Sequence, residues 1–169
     1  QAGLAVTAGL NSFFKYVNPS NSDEYFIFEN RQQTGREAMV PDNGLAIWHV
    51  DRVASNDWEH GMKFLHYECA LVQADGQRHM ETGLNYGDSS DLWGAPTYTT
   101  CTTSTNPSSH WWGPYGSGLR IENIGTSAAT MTFNVASEAI HTMTTSALPN
   151  GQKGMPYSQT IETANGIPP

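Results

Sequence analysis

The chain has 169 residues, enough for one domain of ordinary size or one domain with an appendage, and too few for two large domains. Eight basic residues against sixteen acidic ones give a net charge of −8, which repels a phosphate backbone and excludes nucleic acid as a partner. Charged residues are sparse at 14 %, aromatic residues reach 11 %, and Gly, Ser, Thr, Asn and Pro abound, a composition of extracellular β proteins and not of disordered chains.

Short β-branched and aromatic runs predict strands near residues 12–17 (SFFKYV) and 24–30 (EYFIFEN). The second run ends on the polar group Glu29, Asn30, Arg31. Alternation puts Glu29 and Arg31 on one face, where they are expected to pair as a polar junction. Residues 44–51 (GLAIWHVD) form the next expected strand, with His49 and Asp51 as neighbours on one face. A strand-end histidine satisfied by hydrogen bonds is the favoured reading of that pair; orientation of an imidazole near a substrate or metal is the alternative.

A further strand is expected over 67–74 (YECALVQA), followed by a long Gly- and Pro-punctuated stretch, 75–117, with little periodicity. A compact domain keeps such a loop only if something ties it down. A metal ion, a disulfide through Cys101, or anchors such as Trp93, Trp111 and Trp112 are the candidates. Residues 118–124 (GLRIENI) and 129–135 (ATMTFNV) then alternate as two strands joined by a hairpin at "GTSA". No segment sustains helical periodicity over three turns, so an all-β antiparallel sandwich with one long irregular loop region is predicted. The domain division expected is 1–137 for the sandwich and 138–169 for a linker and an incomplete immunoglobulin-like segment.

No apolar run approaches the ~20 residues of a membrane-spanning helix, and no signal-peptide pattern follows Gln1. The chain therefore reads as a mature protein or an excised piece. Cys69 and Cys101 fit neither a redox motif nor a zinc knuckle; in an exported chain they allow one disulfide, which is expected here over two unlinked thiols.

Catalytic motifs are absent from the sequence: none of the six histidines begins H-E-x-x-H, and there is no G-x-S-x-G elbow or phosphate loop. The strongest chemical signal is the acidic stretch "QADGQRHMETGLNYGDSSDLW". Asp75, Asp88 and Asp91, with Asn85 nearby, supply hard oxygen ligands in a Gly-rich loop, the donor set calcium takes. The same aspartates also suit turns and local backbone caps.

In this order, "EYFIFENRQQTG", "PDNGLAIWHVD", "LVQADG", "GDSSDLW" and "SGLRIENIGTSAATMTFNV" resemble the segment that follows the catalytic centre of immune inhibitor A-like metalloproteases, peptidase family M-six, over roughly residues 20–136. The resemblance implies an extracellular bacterial origin, a zinc peptidase as the full-length relative, and calcium at the loop of Asp75, Asp88 and Asp91. The zinc motif of that family lies upstream of these segments, so zinc is not expected in this chain. The tail "LPNGQKGMPYSQTIETANGIPP" is similar to the opening of bacterial immunoglobulin-like repeats.

The expectation is thus a non-catalytic, calcium-binding β module of a secreted or cell-surface protein, bracing a catalytic domain or presenting a surface. Its rival is a self-assembling extracellular module that donates a terminal strand to further copies of itself. Glycan binding through Trp93, Trp111, Trp112 and Tyr115 is a third expectation.

Overall fold

The computed structural model describes residues 1–57, 66–113, 116–137, 142–143, 158 and 163–164. The chain divides into two compact units, Gln1–Ala136 and Ser137–Pro169. In the second, strand β8 (Thr142–Met143) pairs antiparallel with β9 (Thr163–Ala164). The rest of the expected linker and immunoglobulin-like segment lies outside the described residues, as do His60 and Tyr115.

The first unit is built from β1 (Leu4–Thr7), β2 (Phe13–Asn18), β3 (Asn21–Arg31), β4 (Gly44–Asp51), β5 (Cys69–Leu71), the one-turn helix α1 (His79–Thr82), β6 (Leu119–Glu122) and β7 (Thr130–Ser137). Two antiparallel sheets, ordered β1-β7-β6 and β2-β3-β4-β5, make it the all-β sandwich expected. Among the described residues no helix is long and apolar enough to cross a membrane.

Alternation decides which side chains enter the core. Along β3, Glu24, Phe26, Phe28 and Asn30 are buried, and register sets them against Asp51, His49, Ile47 and Leu45 of β4. Phe26, Phe28, Leu45 and Ile47 meet Val6, Leu119, Ile121, Met131 and Phe133 from the other sheet. Each such side chain contributes about 1.5–3 kcal/mol when fully buried. The opposite face of the larger sheet carries Ile27, Glu29 and Arg31 beside Trp48, Ala46 and Gly44. At Gly44 an added Cβ would lie 2.7 Å from the Trp93 carbonyl oxygen, so this strand start accepts only glycine.

The polar group that ends β3 divides by face. Outside, Arg31 binds Glu29 at 2.8 Å and Glu37 at 2.8 Å, the expected pairing with an added partner. Inside, Asn30 is buried and its amide donates to the carbonyls of Ala128 (2.8 Å), Ala129 (3.0 Å) and Val6 (3.2 Å). It joins the larger sheet to β1 and to the approach to β7, and these bonds satisfy its own buried amide.

The alternation predicted for "GLRIENI" breaks at its end. Asn123 takes a left-handed conformation (φ 53°), which turns Ile124 inward to 2 % exposure instead of leaving it opposite Ile121. The strand at β1 was not expected: it is short, begins after Gly3, and is held by register against β7, Leu4 to Phe133 and Val6 to Met131.

The long segment 75–113 is tied down by aromatic anchors and main-chain bonds. Trp93 is buried and donates from Nε1 to the Val72 carbonyl at 2.9 Å; Trp111 stacks on Phe26 at 5.0 Å and on Tyr16 at 5.8 Å. Cys101 exchanges two main-chain hydrogen bonds with Ile121, each 2.8 Å. The expected Cys69–Cys101 disulfide is not formed; both thiols are free. Register puts Cys69 on the outer face of the larger sheet, opposite Val50, whereas Cys101 is in the core between the sheets. Burial pushes the Cys101 thiol up to about 12.

Candidate metal centre

The turn after β5 brings the acidic residues together. Asp75, Asp88 and Asp91 each offer a carboxylate oxygen, and these oxygens lie within 4.8 Å of one another. Two oxygens bound to one calcium ion at about 2.4 Å are at most ~4.8 Å apart, so the spacing matches the span of a single coordination sphere.

Local sequence explains the convergence. Asp75 accepts the Gln77 N–H at 2.9 Å in an Asp-Gly turn whose glycine has φ +71°. Asp88 accepts the Ser90 N–H at 2.9 Å and the Asn85 amide at 2.9 Å, and the Ser90 hydroxyl bridges it to Asp75 at 3.1 Å. Gly87, at φ +105°, approaches so closely that an added Cβ would meet Pro41 at 2.7 Å and Asp91 Oδ2 at 3.2 Å. Asp91 Oδ2 in turn accepts the Asp88 N–H at 2.6 Å.

Among the described residues, negative charge predominates in this group. Asp91 is 2 % exposed, and its Oδ1 is buried without a hydrogen-bond partner. Burial raises the Asp91 carboxyl above the usual range; Asp88, Asp75 and Asp42 add repulsion, against the opposing bond from the Asp88 N–H. Asp88 moves the other way, held low first by the Ser90 hydroxyl and main chain, then by Asn85 and His79. His79 Nδ1 lies 3.7 Å from Asp88 Oδ2.

A second polar group lies at the other end of the larger sheet and contrasts with the first. His49 Nε2 is 2.9 Å from Glu24 Oε1, and His66 Nε2 is 2.9 Å from Asp51 Oδ2; all four residues are at most 5 % exposed. The Trp112 indole is sandwiched between the imidazoles, 4.5 Å from His49 and 4.4 Å from His66. Glu24 also accepts the Trp112 N–H at 2.6 Å and the Asn18 amide at 2.8 Å. Burial alone would raise Glu24, but these bonds outweigh it and the carboxyl falls below its usual value. His49 is lowered, burial outweighing its bond to Glu24, with His66 opposing its charge.

His49 and Asp51 do share a face, yet each binds a different partner. The two partners, Glu24 and His66, were not singled out from sequence; Glu24 carries a signal in retrospect, since it occupies an inward position in register with that face. Of the aromatics expected to bind glycan, Trp93 and Trp111 are buried and Trp112 is wedged between imidazoles, so these indoles form no exposed platform.

Fold and site together define a β-sandwich module in which one loop groups three carboxylates that could hold a metal ion. No family model matches the chain, and no curated protein or solved structure is significantly similar to it.

Proposed function

We propose that the chain is a non-catalytic, calcium-binding β module of a secreted, metalloprotease-like protein, in which the ion stiffens the long loop of a unit that braces a catalytic domain. The observation that carries this reading is the convergence of three carboxylates, one oxygen of each within 4.8 Å of the others, in a group where the buried Asp91 Oδ1 has no hydrogen-bond partner. A divalent cation supplies what that oxygen lacks and offsets the mutual repulsion of the aspartates. The donors are carboxylate oxygens, with the Asn85 amide nearby, which favours calcium over zinc. The metalloprotease setting rests on the order of the five sequence motifs.

Thermal unfolding with calcium, with EDTA, and with EDTA followed by magnesium tests the ion. Calcium at about a hundred times its dissociation constant adds ~2.7 kcal/mol. For a domain of this size that is a rise of roughly 5–10 °C in melting temperature, with little from magnesium. An unchanged melting temperature at millimolar calcium rejects the proposal.

A further inference from the structure

The outer face of the larger sheet, away from the sandwich core, is concave and apolar. Trp48 and Leu71 of the sheet, with Pro41, Met80 of α1 and Tyr86, line an open concavity of about 460 Å³. A second concavity of about 380 Å³ adjoins it over Phe13 and Ile27, and the two share Trp48, Cys69 and Arg31. Tyr86 is fully exposed and Phe13 is 58 % exposed, so large apolar side chains stay in water along this row. Apolar surface of this kind, interrupted by the Glu29–Arg31 ion pair and rimmed by polar groups, marks an interaction site.

Charge selects the occupant. Asp42, Glu81 and Asp91 line the larger concavity, and Glu29 the smaller. Arg31 is the cation at both, and Glu29 and Glu37 already hold it. Asp42, Glu81 and Asp91 have no cationic side chain paired with them among the described residues. Asp42 accepts from the main chain of Asn43 and Leu92, and Glu81 from the Gln73 amide. Because Asp42 and Glu81 lie outside the aspartate triad, the acidic rim persists whether or not an ion sits there.

We propose that this face binds an extended peptide segment of a partner protein that carries two apolar side chains, at alternate positions, among lysines or arginines. In an extended chain alternate side chains leave the same face about 7 Å apart, which suits two adjoining concavities. The cationic residues meet the carboxylate rim.

The probe is an acetylated and amidated pentapeptide, Lys-Phe-Lys-Leu-Lys, titrated into the isotopically labelled full chain and followed by amide and indole NMR shifts. Saturable shifts are expected at the Trp48 indole and at Leu71 and Tyr86. Binding should weaken by about tenfold for Glu-Phe-Glu-Leu-Glu and for Lys-Ser-Lys-Ser-Lys. Tyr86→Ala and Glu81→Gln should each weaken it several-fold at an unchanged melting temperature, Tyr86 being outside the core and Gln keeping an acceptor for Gln73. The proposal is overturned by shifts that do not saturate, by an acidic peptide that binds as tightly, or by variants that bind like the parent. A dimer of the chain that hides the Trp48 indole overturns it as well, since the face would then be an interface between copies.

Discussion

Two polar clusters flank the same sheet and solve the problem of buried charge in opposite ways. Around Trp112, each carboxylate has its own imidazole, and Glu24 collects three donors from β2, β4 and the long loop. In the aspartate group, negative charges face one another, and a buried oxygen of Asp91 has no donor. The first network is closed at its carboxylates and holds the fold together, although the Trp112 Nε1 within it is itself buried without a hydrogen-bond partner, whereas the second leaves a carboxylate oxygen unmatched.

The largest expected effect breaks the closed network. His49→Ala leaves Glu24 buried without its imidazole and should cost about 3–5 kcal/mol in urea unfolding, equally with calcium or EDTA. A cost below ~1 kcal/mol would mean the pair is not a closed unit. The open cluster should respond in reverse. Asp91→Asn removes a repelled carboxylate, so in EDTA the variant is expected to be no less stable than the parent, while the calcium increment of ~2–3 kcal/mol vanishes. Retention of the full increment would move the ion elsewhere.

Acid sharpens the comparison, because the clusters carry opposite signs. Glu24 is lowered in the fold, so its contribution is present above the unfolded value and lost as pH falls through the folded one. His49 is also lowered, so the unfolded chain takes up that proton first, and stability falls as pH drops below the unfolded value of 6.5. Asp91 is raised, so without calcium its cost appears as pH rises through the unfolded value of 3.8 toward the folded one. Urea unfolding between pH 7 and pH 5 should therefore show a loss of stability in EDTA at the His49 pair, each pKa unit being worth about 1.4 kcal/mol. The calcium increment should shrink over the same range as protons compete for the carboxylates. Stability that rises on acidification in EDTA would reverse the ranking of the clusters.

The smallest effect concerns the thiols. One thiol per chain should react with iodoacetamide in the native state, the exposed Cys69, and two in denaturant, because Cys101 is buried and held protonated. Two unreactive sulfurs that become reactive only after reduction would restore the disulfide.

Much of the sandwich was legible because half-buried strands write their faces as alternation. In "TMTFNV", Met131 and Phe133 are buried and Thr132 is not, as the pattern requires. The predicted strand at 67–74 shortens to Cys69–Leu71, since the chain beyond Val72 turns toward the segment at Asp91–Trp93 and bonds there, with Ala74 N–H to Asp91 O at 2.9 Å. The one-turn helix α1 was not legible, because four residues carry no period to read.

Sequence by itself determined the fold class and the candidate metal ligands, since alternation and the clustering of Asp75, Asp88 and Asp91 within one loop are local properties of the chain. Only the tertiary structure decided the rest. Cys69 and Cys101 fell on opposite sides of a sheet, Glu24 met His49 across 25 positions, and Trp112 was set between two imidazoles. These pairings depend on sheet register and on where a long loop returns, and no local pattern records either one.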